Sequence, residues 1–219
     1  MKQRRLRNYL EIGVLNGHIL FRLRSNCKVA VDPCFVFDGL RKAGKLMLNP
    51  SNVYNRYFEK TSDDFFRDDA PSAFADKKVQ LVLIDGMHEY AFALRDLENA
   101  LRFGTDDVVA ILHDCNPLTK TASLCSKEFD ALETPGTWNG DVWKVILHIR
   151  SLRPDLTAFV LDADHGLGIV VKRPNSSPLR YTEADITRFT YEDFNANRDQ
   201  WLDLRSPDYF YEFFELKRA

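Results

Sequence analysis

One stretch, "LVLIDGMHEYAFALRDLENAL" at residues 81–101, restricts the fold more than any other. It opens as an unbroken apolar run of strand length and stops at Asp85 and Gly86. It then resumes with Ala91, Leu94, Leu97, Ala100 and Leu101 at spacings of three or four. The first half is the pattern of a strand buried on both faces, and the second is that of a helix with one apolar stripe. Such a strand passing directly into such a helix is half of a βαβ unit, and parallel strands joined by covering helices follow from it.

The same alternation runs along the chain. "RNYLEIGV" reads as a first strand, "GHILFRLRSN" as a helix carrying Ile19, Leu20 and Leu23 on one face, and "KVAVDP" as a second strand stopped by Pro33. A third strand falls somewhere in "KLMLNPSNVYNRYFEKTSDDFF" without a clear pattern to mark it. "VQLVLIDG" and "DVVAILHD" are the fourth and fifth strands, on either side of the helix "EYAFALRDLENALRF". A helix over "DVWKVILHIRSL" follows, then "TAFVLDADHGLGIVVKR" as two strands joined by a short turn, so the sheet ends in an antiparallel hairpin. From Pro174 the chain turns polar and aromatic, with amphipathic helices expected in "RYTEADITRFTYEDF" and "DYFYEFFELKRA". The expected organisation is one α/β domain over 1–173 and a helical extension over 174–219 packed on it.

Composition narrows the partners. Thirty basic residues against 32 acidic ones leave a net charge of -2, which provides no general attraction for nucleic acid or an anionic membrane. The four cysteines, at 27, 34, 115 and 125, lack the close pairing of a zinc or redox site and the density of a secreted scaffold. They read as reduced thiols, and with no export signal or membrane-length apolar run the expectation is a cytoplasmic protein with a small-molecule substrate.

Ligands of open parallel sheets gather beyond the carboxyl ends of the strands. Here those ends carry acids. The first strand runs into "EIGVLNG", with Glu11, Gly13 and Gly17, whose glycines let backbone approach a ligand and leave the amide ends of the next helix facing it. The second ends at Asp32, placed to accept the hydroxyls of a ribose; Asp63 stands near the third, and Asp85 and Asp114 close the fourth and fifth. His88 is expected on the first turn of the helix after strand four, and His113 precedes Asp114.

The order "YLEIGVLNG", "VAVDP", "TSDDFF", "LVLIDGMHEY", "VVAILHD" resembles the class I S-adenosylmethionine-dependent methyltransferases, in the branch with DGxHxY and HD motifs related to metal-assisted sugar O-methyltransferases. The resemblance spans roughly residues 8–172 and leaves the tail uncovered. It implies a Rossmann-like, doubly wound, seven-stranded and mostly parallel sheet with a reversed last strand, in a three-layer α/β/α sandwich. It also implies S-adenosylmethionine as cofactor. Glu11, Gly13 and Gly17 would cradle its methionine part, Asp32 would hold the ribose and Asp63 the adenine region, with Asp85 beside them. The implied reaction is O-methylation of a small or carbohydrate-like metabolite. His88 would be the general base with Asp85 in the catalytic group, and Asp85, Asp114 and His113 would ligate Mg2+ or another divalent cation. Met87 and His113 replace residues that are acidic in many relatives, and only a short segment precedes the first strand. The lid would then come from "NPLTKTASLCSKEFDALETPGTWNGD" or the aromatic tail.

Each candidate also has a structural reading. Asp85 and Asp63 suit helix N-caps, Asp32 before Pro33 suits a turn, and Asp141 suits the N-cap of the helix it opens. Asp164 and His165 in "DADHG" read as turn chemistry. Trp138 and Trp143 read as core or as a substrate platform. The tail aromatics Phe210, Tyr211, Phe213 and Phe214 read as core or a homodimer contact. His113 and Asp114 face one site only if the strand has ended before them. Two other functions stay open: a catalytically inactive nucleoside- or partner-binding module on this fold, and metal-dependent chemistry without methyl transfer.

Overall fold

The computed structural model describes residues 6–133 and 136–218; Thr134 and Pro135 of the expected lid, and Ala219 of the tail, lie outside them. Its contacts group into two compact units. The first runs up to Gly86 and takes in Arg95–Ala110; the second is made of Met87–Leu94 and the chain from Ile111 onward.

The first unit holds β1 (Asn8–Ile12), β2 (Cys27–Asp32), α1 (Gly39–Leu48), β3 (Asn55–Glu59), α2 (Ser62–Asp68), α3 (Ala70–Ala73) and β4 (Val79–Ile84). Most of α4 (Tyr90–Arg102) and of β5 (Gly104–Leu112) belongs to it as well. Its strands lie in the order β3-β2-β1-β4-β5, and β1 pairs in parallel with both β2 and β4. Leu10, Val29, Val82 and Val108 are wholly enclosed, as expected of strands covered on both faces. β3, at the edge, is only half-buried along its polar sequence "NRYFE".

The crossover from β1 to β2 departs from the expectation. "GHILFRLRSN" forms turns rather than a helix, although Leu20 is buried as its pattern requires. The cause lies in the carbonyls. The buried Lys28 ammonium donates to Leu20 O (3.1 Å) and Leu23 O (2.9 Å), and the side-chain amides of Asn49 and Asn52 donate to Phe21 O. Asn49 also reaches Leu23 O. Carbonyls that a helix would bond along its own axis are claimed by side chains from β2 and from the segment after α1. No helix N-terminus therefore follows the Gly13–Gly17 loop.

α1 carries Leu40, Met47 and Leu48 outward, between 77% and 86% exposed, while Lys42 leans inward over the rings of Phe37 and Tyr57.

The second unit continues with α5 (Ser126–Asp130), α6 (Trp143–Leu152), β6 (Thr157–Leu161), β7 (Leu167–Val171), α7 (Glu183–Arg188), α8 (Tyr191–Leu202), β8 (Leu204–Arg205) and α9 (Tyr209–Phe213). From β5 the order is β7-β6-β8; β6 and β7 form the expected antiparallel hairpin, and the short β8 adds an eighth strand parallel to β6. Asp164, His165 and Gly166 all take positive φ in the hairpin turn. Trp143 is core, stacked on Trp201 with ring centres 5.9 Å apart and tilted against Phe194. Buried Arg150 fastens the tail by donating to the carbonyls of Gln200, Trp201 and Ser177. Tyr209 and Phe213 set their rings edge-on against Phe159 of β6. All four cysteines are free thiols, and no helix among the described residues is long and apolar enough to cross a membrane.

Candidate functional site

In the first unit, register places the acids level with one another. Ile12 pairs with Val31 and with Ile84, and Asp32 pairs with Glu59. One step beyond, Glu59, Asp32, Gly13 and Asp85 therefore stand side by side on β3, β2, β1 and β4. Neighbouring strands are about 4.8 Å apart, so Asp32 and Asp85 flank the glycine loop at a separation of about 10 Å. The ladder continues into the rim through Gly13 N–H to Val31 O (3.0 Å) and Asp85 N–H to Ile12 O (2.8 Å). Gly13 has φ +79°, and a Cβ there would lie 1.9 Å from Asp85 O, so the β4 turn presses on the loop too closely for any side chain. Gly17 closes the loop, donating to Val14 O.

Asp32 fixes that loop to β2. Its Oδ2 accepts from Leu15 N–H (2.7 Å) and its Oδ1 from Cys34 N–H (2.8 Å), so the turn reading of this residue is realised. A carboxylate offers about four acceptor positions, which leaves capacity for ligand hydroxyls. Glu11, on β1 just before the loop, is enclosed. It is 2% exposed, accepts from Tyr9 Oη (2.6 Å) and bonds the Leu20 backbone. Burial pushes its carboxyl up to about 7, against the downward pull of those two hydrogen bonds. Asp63 lies in the first turn of α2 and forms a two-pronged ion pair with Arg95 (2.6 Å each). The N-cap there is Thr61 rather than Asp63, accepting from Asp64 N–H.

Asp85 is not a helix cap either: β4 ends at Ile84, and α4 begins only at Tyr90. By the same boundaries His88 lies in the loop before the helix rather than on its first turn. The run of residues from Asp85 to Glu89 is longer than strand-to-helix patterning suggested, because the helix N-terminus is capped from elsewhere. Asp141 Oδ1 accepts from Tyr90 N–H (2.6 Å), so Asp141 caps α4, whereas α6 starts after Val142 with no side-chain cap.

In the second unit, residues 138–141 clasp His88. The Trp138 indole stacks on the imidazole with ring centres 4.9 Å apart, and Trp138 O lies 3.2 Å from Nδ1. Asp141 N–H donates to His88 O (3.2 Å). Gly140, with φ +62°, lies so close that a Cβ would sit 1.6 Å from that carbonyl. Asp114, 3% exposed, brings its Oδ2 to 3.2 Å from His88 Nδ1 and 3.0 Å from His113 Nδ1. The Asn139 amide donates to its other oxygen, and His113 Nε2 faces Asp164 Oδ2 at 3.3 Å.

β5 ends at Leu112, and Asp114 takes φ +62°, so the strand alternation that would separate His113 from Asp114 has stopped where they stand. The structure thus joins His88, Asp114 and His113, three residues proposed from sequence, with Asn139 and the Trp138 carbonyl, which sequence reasoning missed. The signal available was the "NG" dipeptide at 139–140, a mark of a tight turn. Asp96 was missed too. It is a buried carboxyl on α4, held up to about 6 by burial despite its hydrogen bond to Ser62, and it sits under Gly86.

A parallel sheet of this order with a reversed hairpin and an acid-tipped glycine loop defines a Rossmann-like fold of the class I methyltransferase type. Residues 10–115 match the family model described as a methyltransferase domain. Similar solved structures include a caffeoyl-CoA O-methyltransferase-like protein of Staphylococcus aureus, 15% identical, with a TM-score of 0.56 over 78% of each chain. Another is the O-methyltransferase TomG of Streptomyces achromogenes, solved with S-adenosylmethionine; it is 13% identical, with a TM-score of 0.53 over 78% of this chain and 75% of that one. An O-methyltransferase of Bacillus cereus, solved with S-adenosylhomocysteine, is 15% identical, with a TM-score of 0.52 over 77% and 74%. None of the curated proteins compared with the chain matches it in sequence. The chain thus has the fold of the class I S-adenosylmethionine-dependent methyltransferases, with the methyltransferase-domain match confined to residues 10–115.

Proposed function

We propose that the chain binds S-adenosylmethionine and methylates a hydroxyl oxygen of a small or carbohydrate-like metabolite, with His88 as general base. The observation that carries this is the seating of His88: an imidazole whose Nδ1 faces both the Trp138 carbonyl and the Asp114 carboxylate is held in one orientation. With Nδ1 protonated toward those oxygens, the basic lone pair is on Nε2, the nitrogen that would take the acceptor's proton. Asp114 also stabilises the imidazolium that results. Such general-base assistance contributes about 10² to 10⁴-fold.

The rim of the first unit suits the cofactor in its chemistry. The Gly13–Gly17 loop offers backbone without side chains at its close approach, and Asp32 has lone pairs beyond those used by Leu15 and Cys34 to accept ribose hydroxyls. Asp85 faces the cationic end. Asp63 borders the adenine region from α2, sharing its carboxylate with Arg95. Glu11, enclosed on β1, acts through the groups it bonds, Tyr9 Oη and the Leu20 backbone. The cofactor supplies an activated methyl group, so the protein's main task is positioning, worth about 7–11 kcal/mol where the geometry is tight.

Asp85, His113 and Asp114 are the proposed ligands of a divalent cation, and the mixed oxygen and nitrogen donors fit manganese, iron or zinc as well as magnesium. Such an ion would lower the pKa of an acceptor hydroxyl. Calorimetry with S-adenosylmethionine, followed by methyl-labelled turnover on a panel of catechols, sugars and hydroxy acids with and without chelator, tests the reading. Failure to bind the cofactor sinks it; binding with no labelled product from any acceptor favours a non-catalytic module.

A further inference from the structure

At the opposite end of β2 and β3 from the acid-tipped rim, the first unit has a cleft of about 260 Å³ lined by Asn26, Tyr54, Asn55, Arg56 and Lys77 among others. Asn55 opens β3 and pairs with Lys28, whereas the rim lies at Asp32 and Glu59, four residues further along. At about 3.3 Å per residue the two places are roughly 13 Å apart along the strands, so a ligand in the cleft does not occupy the cofactor rim.

Three features of the cleft point to one kind of ligand. Its lining contains two cations and no carboxylate. Arg56 is pre-set, with its guanidinium over the Phe58 ring at 5.4 Å and Nη1 donating to Ala73 O at 3.3 Å. A guanidinium and an ammonium from the lining of one cleft attract a doubly charged oxyanion, and the planar fork of arginine suits phosphate. The second feature is an orphan acceptor. Asn55 spends its amide N–H groups on Tyr57 Oη and Asn52 Oδ1, and its own Oδ1 is enclosed with no hydrogen-bond partner. A buried acceptor left in this state costs about 1–3 kcal/mol, and a small turn of the Asn55 side chain toward the cleft would let a ligand hydroxyl satisfy it. The third is size: the volume is below the 300–1,000 Å³ usual for drug-sized ligands, and Tyr54, half-exposed, offers a flat ring to a small carbon skeleton.

We infer that this cleft binds a small phosphorylated polyol, with Arg56 and Lys77 on the phosphate and Asn55 Oδ1 accepting from a hydroxyl. The site is independent of the methyltransferase reading, because no residue of the rim or of the histidine cluster lines it.

Calorimetry on the full chain with ribose 5-phosphate, glycerol 3-phosphate and inorganic phosphate tests the inference, paired with amide chemical-shift mapping on the unsubstituted protein. The sugar phosphates should bind about tenfold more tightly than inorganic phosphate, with shifts centred on residues 26–27, 53–56 and 77. Arg56→Gln and Lys77→Gln should each weaken binding about tenfold or more. Asn55→Ala should remove the advantage of the polyol over inorganic phosphate while leaving phosphate binding in place. Equal affinity for all three probes, no binding at millimolar concentration, or shifts confined to the glycine loop would each overturn the inference. Because the mapping uses the unsubstituted protein, a variant that fails to fold leaves the test intact.

Discussion

The Asp114 carboxylate approaches His88 Nδ1 to 3.2 Å from a backbone held at φ +62°, a conformation that non-glycine residues seldom adopt. Strain of this kind costs about 1–3 kcal/mol and persists where surrounding structure enforces it. Here the Asn139 amide holds the carboxylate by donating to its other oxygen, and His113 Nδ1 stands 3.0 Å from Oδ2. If that arrangement serves the base, His88→Ala should lower turnover on a labelled acceptor about 10²-fold or more, with S-adenosylmethionine affinity nearly unchanged. Asp114→Asn should lower turnover in the same direction. Full activity in His88→Ala would show that another group removes the proton.

Asp32 holds the glycine loop through two backbone amides and is also the residue proposed to receive the ribose, so its removal acts twice. Asp32→Ala should weaken cofactor binding about 10- to 100-fold by calorimetry, since each lost hydrogen bond to a charged group is worth about 1.5–3 kcal/mol. Asp32→Asn retains one acceptor oxygen and should fall between the two. Cofactor affinity unaltered in Asp32→Ala would place the ribose elsewhere.

The buried acids of the first unit predict the direction of the pH dependence of stability. Glu11 is pushed up from 4.5 to about 7 and Asp96 from 3.8 to about 6, both chiefly by burial. In each case the unfolded chain releases its proton at lower pH than the native one, so the folded state gains relative stability in acid. For Glu11 that gain is complete below about 4.5 and gone above about 7. Lys28, lowered to about 8 by burial, behaves oppositely: its contribution is present above 10.5 and lost as pH falls through about 8. Urea unfolding at pH 5, 6 and 7 should therefore show stability declining with pH, by at most about 3 kcal/mol from Glu11. Glu11→Gln should flatten that slope. A slope of the opposite sign across this range would mean that Glu11 is ionised in the native protein.

Strands β1, β2, β4 and β5 are legible in the sequence because their apolar runs report burial, a property each residue carries by itself. Acidic strand tips at Asp32 and Asp85 are legible for the same reason: polarity interrupts the run where the strand leaves the core. β3 is not legible, since "NRYFE" is a half-buried edge strand identified by its pairing with β2 rather than by alternation. The clasp on His88 is equally hidden, because Trp138 and Asp141 act on residues about 50 positions earlier. Asp141 looks like the cap of the helix it precedes and instead caps α4. Distance in sequence, more than any weakness of pattern, separates what could be read from what could not.

The same principle governs the segment that periodicity assigns to a helix. Residues 17–26 have the apolar spacing of one, and what prevents it is a set of donors outside the segment, above all the fully enclosed Lys28 ammonium. It donates to two of the segment's carbonyls and to Asn52 Oδ1, supplying the partner of Leu20 O and adding to the donors that Asn49 and Asn55 bring to Leu23 O and Asn52 Oδ1. Lys28→Met fills similar volume and removes the donor. It should destabilise the protein by about 3 kcal/mol in urea unfolding, because breaking a buried charged network from one side removes the donor of Leu20 O and weakens the bonding of Leu23 O and Asn52 Oδ1. The released carbonyl of Leu20 would then be free to take a local amide partner, so the far-ultraviolet circular dichroism of the folded variant should show helical content at or above that of the parent. A variant as stable as the parent would show that turn geometry, rather than the ammonium, keeps this crossover from winding into a helix.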